Sequence, residues 1–504
     1  MIENDTQFAG ATEDDVDVII IGTGFSGLGL AAQLKRRGED SFVVLERASD
    51  VGGTWRDNTY PGAACDQPSH MYSFSFRLNP EWSSIFSAQP EIWEYLRETA
   101  KHEGILPHVR FDTEVIEAEW VAAENTWVVH TSRGDFRGRF LVSAAGLLSE
   151  PKLPDIAGLS DFQGDLFHSA RWDHDTSLEG TRVGIIGTGA SGVQIVPELA
   201  KIADHVDVFQ RSAHWVTPRG VHEYTDVEKG MFRKDPEALQ RLRTQMFWEN
   251  EERFAARAAV PALLDKLRGV ALALLEEQVP DPELRRKLTP TFEIGCKRIL
   301  KSSNYYPALM QEHVDLVTEG IDHIDATGIV TKDGVHHDLD ALVLATGFEA
   351  TDLPIARRIR GEGGRLLSER WANGAEAYNT TSVSGFPNFF VIGSPNTGIG
   401  HNSQVYMFES QIEHILGCWD YMTMHGMTQI EVRTDAEDRF RDGLDRRSAS
   451  TVWFTGGCDS WYIDPRNGRL TTLWPDYSHM FQEEIAPFDP DAYVMSSHAV
   501  PQDA

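Results

Sequence analysis

The stretch Val16–Gly38, VDVIIIGTGFSGLGLAAQLKRRG, decides the fold of this chain. A short β-branched run reads as a strand, three glycines as a tight turn, and the remainder as a helix. Gly22, Gly24 and Gly27 have the spacing that lets a chain turn sharply, bring its backbone against a pyrophosphate, and pack a helix close to the preceding strand. The next strand, SFVVLER, carries Glu46 at the distance where an acidic side chain takes ribose hydroxyls. A glycine triplet alone is weak evidence of a nucleotide site; its flanking strand, helix and acid make this one specific.

The pattern returns at Thr181–Lys201, TRVGIIGTGASGVQIVPELAK, with Gly187, Gly189 and Gly192. One position distinguishes the two units. Counting 24 residues past the first glycine reaches Glu46 in the first unit and Arg211 in the second. A glutamate there accepts ribose hydroxyls and repels a phosphate, which suits FAD or NAD. An arginine offers a 2'-phosphate charge-assisted hydrogen bonds worth about 1.5–3 kcal/mol each, or roughly tenfold and more in affinity. Ser212 adds a further donor, so the second unit is expected to prefer NADPH; the plainer reading of Arg211 is a solvated cation at a strand end. A third piece, DALVLATGFEATD, reads as a buried strand whose end, at Ala345, Thr346 and Gly347, leaves room for a nucleotide.

Composition sets outer limits. At 504 residues the chain is long enough for two to four domains, with the 41% hydrophobic and 24% charged content of ordinary globular proteins. A net charge of -31 argues against a nucleic-acid partner. The acidic N-terminus has no basic region leading into an apolar one, so no signal peptide is expected, and VDVIII is far too short for a membrane segment. Cys65, Cys296, Cys418 and Cys458 are widely separated and form no C-x-x-C pair, which speaks against a zinc site or paired-thiol chemistry and leads to a reduced, cytoplasmic setting. No metal site is expected.

Three further stretches lie outside any simple period. GGTWRDNTYPGAACDQPSHMYSFSF, from Gly52 to Phe76, holds Asp66, which by itself reads as a turn aspartate capping local backbone. FEIGCKRILKSSNYYPAL holds Lys297 and Arg298 side by side on a half-apolar background, either a solvated pair or cations for an anionic cofactor or intermediate. FQGDLFHSARWD, from Phe162 to Asp173, precedes the second glycine loop.

Together these residues resemble the flavin-dependent Baeyer-Villiger monooxygenases, within the flavin-containing monooxygenase superfamily. Phe162, Gly164, His168, Trp172 and Asp173 match that family's fingerprint F-x-G-x-x-x-H-x-x-x-W-(P/D). Gly52, Gly53, Trp55, Tyr60, Pro61, Gly62 and Asp66 match G-G-x-W followed by Y-P-G-x-x-x-D. The resemblance extends over nearly the whole chain, through Cys296–Tyr306 and Gly385–Ser403. It implies Arg298 as the active-site arginine with Asp66 as its partner, Lys297 and Arg211 as ligands of the NADPH phosphate, and Trp55 near the flavin. The implied reaction takes FAD, NADPH, O2 and a small-molecule ketone to an ester or lactone through a C4a-peroxyflavin. Arg298 would stabilise the anionic oxygen, and Asp66 would orient Arg298. For His168 three roles stand: a general acid, a hinge, or a satisfied structural histidine, with the last two preferred. The alternatives are oxidation of sulfur or nitrogen centres, or an NADPH oxidase or reductase.

The expected fold class is α/β, with two Rossmann-like dinucleotide-binding domains and a helical insertion. Residues 1–155 and 380–504 are expected to form the FAD domain, 156–222 and 291–379 the NADPH domain, and 223–290 the insertion, whose Met and Trp residues are expected to be core.

Overall fold

The computed structural model describes residues 15–497, so the acidic N-terminal stretch up to residue 14 lies outside the described residues. Two sheets organise them. In the first, the strand Asp15–Ile21 lies parallel between Phe42–Leu45 and Gly134–Ser143. Its last four residues are buried, as expected of a β-branched run inside a parallel sheet. Helix Phe25–Arg36 connects it to Phe42–Leu45. Val109–Arg110 extends one edge, and an antiparallel meander of Val115–Val121 and Thr126–Thr131 extends the other.

The second sheet is wholly parallel, in the order Val314–Val317, His205–Phe209, Arg182–Ile186, Ala341–Leu344 and Asp165–His168. The third piece of the sequence reading, Ala341–Leu344, is therefore buried inside this sheet. Between its strands the chain builds five helices within residues 226–288. The long helix Gln404–His425 then returns to cover Phe25–Arg36, so closely that a Cβ on Gly29 would stand 3.0 Å from Ile412.

Three expectations need correction. Ile359–Arg360 already pairs with the first sheet, so the chain returns there ahead of residue 380. In the insertion, Met231 and Trp248 are 48% and 52% exposed, because helix Asp226–Lys234 buries Phe232 instead, and helix Pro236–Glu251 buries Leu239, Arg243, Asn250 and Glu251. Cys296 and Cys458 are joined as a disulfide across 162 residues, a pairing that local cysteine spacing cannot reveal; Cys65 and Cys418 are free and buried. The expected reduced state of all four thiols is thus wrong for two of them. No helix among the described residues is long and apolar enough to cross a membrane.

Candidate active site

Both glycine loops divide their labour in the same way. Gly22 and Gly187 have φ of +103° and +110°, and a Cβ on either would lie 2.7 or 2.4 Å from a carbonyl oxygen of a neighbouring strand end, that of Ala144 or Ala345. The third glycines, Gly27 and Gly192, pack on the carbonyls of the first, at 1.9 and 2.2 Å from a hypothetical Cβ. The middle glycines differ: Gly24 meets only the Gly53 Cα at 4.0 Å, and Gly189 meets nothing within 4 Å. The helices that follow carry no side-chain cap and no acid in their first turns. Each loop therefore leaves open space beside backbone donors and the positive end of a helix, a cradle that fits a pyrophosphate.

Glu46 is 4% exposed at the end of the second strand. The Thr23 hydroxyl and backbone N–H donate to it at 2.5 and 3.1 Å, and Arg56 pairs with it at 2.9 Å. This carboxylate stands beside the first loop, where a ribose would hang. The Gly52–Trp55 motif borders the same cradle, since a Cβ on Gly53 would come 3.1 Å from the Gly24 Cα, and the Trp55 indole donates to the Tyr72 hydroxyl at 3.1 Å.

At the second loop, Arg211 is exposed and Ser212 faces the Lys297 ammonium at 3.4 Å. Burial and the charge of Arg211 both lower the Lys297 pKa. His214, beside both cations, is pushed down to about 4 by burial and by their charges. Two like charges are thus held together with a neutral imidazole, which suits a phosphate of opposite sign.

Between the loops, the Arg298 Nη2 donates to both oxygens of Asp66 at 2.7 Å, and Nε donates at 3.2 Å. Burial alone would raise the Asp66 pKa, but the charge and bonds of Arg298, with Lys301, hold it below the usual carboxylate range. Asp66 in turn raises that of Arg298. The Lys301 ammonium donates to the Asp66 carbonyl at 2.8 Å and is pushed by burial down to about 8. The loop before Asp66 rests on the second unit's helix: the Tyr60 hydroxyl donates to the Gln194 side chain at 2.9 Å, and that amide donates to the Ala64 carbonyl at 3.0 Å. Asp66 thus sits where the two nucleotide units meet.

The stretch Phe162–Asp173 contains the edge strand Asp165–His168 of the second sheet. Gly164 lies so close to the Asp340 carbonyl that a Cβ would stand 2.3 Å away. The buried His168 Nδ1 accepts from the Ala170 N–H at 3.1 Å, and burial pushes its pKa down to about 4. Trp172 packs edge-on against Phe167, and Asp173 accepts from the Asp175 N–H in a local turn. Just beyond, His174 reaches Thr59 of the first unit at 2.7 Å, and Arg171 reaches the Ser149 carbonyl at 3.4 Å.

Sequence reasoning missed Lys301, Gln194 and Tyr462. Lys301 extends the basic Lys297–Arg298 run on its apolar background, a usable signal; Gln194 and Tyr462 carry none. Tyr462 is 4% exposed, and burial raises its phenol pKa against the opposing charges of Arg298 and Arg257.

The sequence model of the flavin-binding monooxygenase-like family matches residues 15–234. A Baeyer-Villiger monooxygenase of Streptomyces coelicolor is 45% identical over 481 residues, covering 94% of this chain and 92% of that protein. The structure of cyclohexanone monooxygenase from Rhodococcus sp. Phi1 bound to NADP+ is similar at a TM-score of 0.85 and 28% identity, covering 97% of this chain and all of the other. That of OTEMO in complex with FAD and NADP is similar at 0.85 and 28%, covering 95% and 99%.

Proposed function

From the premise that this chain belongs to the Baeyer-Villiger monooxygenases of the flavin-binding monooxygenase-like family, we propose that Arg298 and Asp66 form its oxygen-transfer centre. The protein is an NADPH-dependent flavoprotein monooxygenase that places one oxygen atom of O2 beside a ketone carbonyl. Gly22, Gly24 and Gly27 would hold FAD and Gly187, Gly189 and Gly192 NADPH, a pair that would supply the activation of oxygen.

The chain's own residues set the conditions for that step. Gly24 and Gly189 leave room for the two pyrophosphates, with Glu46 toward a ribose and Arg211, Ser212 and Lys297 toward a 2'-phosphate. Arg298 cannot lose its proton, least of all beside Asp66, so its fork of donors remains available to an oxygen that gains negative charge as the carbonyl is attacked. Asp66 is held ionised and engaged on Arg298, which makes it an orienting group rather than a base. His168, neutral and satisfied on one nitrogen by Ala170, is read as part of the packing that joins the units.

The observation that carries this reading is the half-buried Arg298–Asp66 ion pair, on a loop that Gln194 ties to the second glycine unit's helix. Its test is to supply the FAD-loaded protein with NADPH, isotopically labelled O2 and a panel of linear, cyclic and aromatic ketones. Esters or lactones carrying one labelled oxygen are expected. NADPH consumption with peroxide as the sole product across the panel would favour the oxidase reading, and oxygenation of thioethers alone would favour heteroatom oxidation.

A further inference from the structure

We propose that Lys301 is a positioning residue for oxygen transfer, gripping the main chain of Asp66 while Arg298, on the same segment, grips its side chain. The inference rests on the reading of Arg298 and Asp66 given above. Lys301 ends the short strand Leu300–Lys301, which lies parallel to Val216–Thr217 with Thr217 opposite Lys301. These strands flank the helical insertion, one ahead of it and one after. Each side of the insertion sends a cation to the same loop of the first unit. The Lys301 ammonium donates to the Asp66 carbonyl at 2.8 Å, and the Arg219 Nη2 donates to the carbonyls of Cys65 at 3.3 Å and Phe86 at 3.4 Å. The Phe86 ring lies 4.9 Å from the ammonium and 5.7 Å from the Arg219 guanidinium carbon.

Backbone pairing secures this loop on either side of Asp66. The Cys65 N–H donates to the Ser87 carbonyl at 3.0 Å, and the Ser69 N–H to the Ile85 carbonyl at 2.8 Å. Between them, Lys301 is the one hydrogen-bond donor to the Asp66 carbonyl among the described residues. The carboxylate of the same residue has the Arg298 Nη2 on both oxygens. An aspartate gripped by its carboxylate alone can turn about its side-chain bonds and carry the guanidinium with it. Gripped at the main chain as well, by a side chain rooted on the arginine's own segment, it keeps Arg298 in one direction. Misorientation of such a donor costs on the order of tenfold to a hundredfold in rate.

The charge of Lys301 strengthens its grip, since an ammonium is a stronger donor to a carbonyl than a neutral amine. Burial lowers its pKa to about 8; the charges of Arg253 and Arg298 act in the same sense, and those of Asp66 and Cys65 oppose them. Arg219 is the other cation on the loop. As pH rises through about 8 the ammonium is lost, the hold on the Asp66 carbonyl weakens, and turnover falls.

The test uses the FAD-loaded full chain. Lys301→Met keeps an apolar stem and removes the ammonium. It should lower kcat for ester formation about tenfold or more, leave KM for NADPH unchanged, and speed hydrogen exchange in residues 65–69. Lys301→Arg keeps a charge at every pH and should restore kcat and slow exchange. Followed from about pH 6 to 10, wild-type kcat should fall above about 8, and that fall should be absent in Lys301→Arg. A lysine with only a structural part would leave the profile the same in both.

Lys301→Met with wild-type kcat, exchange in residues 65–69 unchanged by that substitution, or the same alkaline fall in Lys301→Arg would each overturn the proposal. If Lys301→Met fails to fold, as read from its flavin absorbance, the pH profiles of wild type and Lys301→Arg decide. If the wild type forms no ester from any ketone, the oxygen-transfer reading fails; hydrogen exchange then still decides whether Lys301 holds the loop.

Discussion

Asp66 and Arg298 stand 232 residues apart in the chain and meet as an ion pair, with one guanidinium nitrogen 2.7 Å from each carboxylate oxygen. The aspartate belongs to a loop of the first unit, the arginine to the segment that follows the helical insertion. Gln194, on the second unit's helix, bonds to that loop through Tyr60 and Ala64, so the pair lies where the two units are joined.

Replacing Arg298 by Ala is expected to lower kcat for ester formation by about 100- to 1000-fold, the scale for losing a preorganised donor to developing negative charge. Lys restores a charge but not the fork, so Arg298→Lys should recover only part of the loss. Bound FAD, read from the flavin absorbance of purified protein, should remain near wild type in both. An Arg298→Ala enzyme with more than a tenth of wild-type kcat would remove this residue from the oxygen-transfer step.

The second cofactor's selectivity is expected to rest on Arg211 and Lys297. Arg211→Ala should raise KM for NADPH about tenfold or more while leaving KM for NADH nearly unchanged, as one charge-assisted bond predicts. Lys297→Ala should act in the same direction. Equal effects on both nucleotides would place these cations away from the 2'-phosphate.

The loop glycines separate binding from stability. Gly189→Ala adds a methyl with no protein atom within 4 Å, so its melting temperature should stay within about 2 °C of wild type while NADPH affinity falls. Gly192→Ala would press its Cβ to 2.2 Å from the Gly187 carbonyl and should lower the melting temperature clearly. Thermal scans with and without NADP+ distinguish the two; matching behaviour would contradict the proposed cradle.

His168→Ala is expected to slow turnover and retain FAD, because its Nδ1 contact to Ala170 supports the edge strand rather than touching substrate. With the wild-type imidazole pushed down to about 4, the pH–rate profile from pH 6 to 9 should keep its shape in the variant. Loss of an ionisation from that profile, or loss of flavin on purification, would overturn the structural role.

Acid should weaken the fold before its carboxylates titrate. His70, His168 and His414 are buried and pushed down from 6.5 to about 4. Between those values the unfolded chain binds protons that the native state does not, so stability falls as pH drops through this window. Glu437, raised by burial from 4.5 to about 7, and Glu409 and Glu431, also raised by burial, act in the opposite sense, while His214 and His401 are lowered by burial along with the other three imidazoles. Urea unfolding at pH 5 against pH 7 should show a loss on the order of a few kcal/mol. Equal midpoints would mean that these imidazoles are not held neutral.

The sequence by itself determined the two strand–glycine–helix units and the opposite charges of Glu46 and Arg211. Those signals lie within about 25 residues of one another, where turn geometry and hydrophobic period act locally. Asp66 and Arg298 were legible as partners through the family resemblance alone; neither spacing nor period says that they touch. Tertiary structure decided that, along with the return to the first sheet at Ile359, the Lys301 contact with the Asp66 carbonyl and the joining of Cys296 to Cys458. Each of these unites residues more than 150 positions apart. Which distant segments meet is set by how sheets and helices bury their faces together, and local preference carries no record of it.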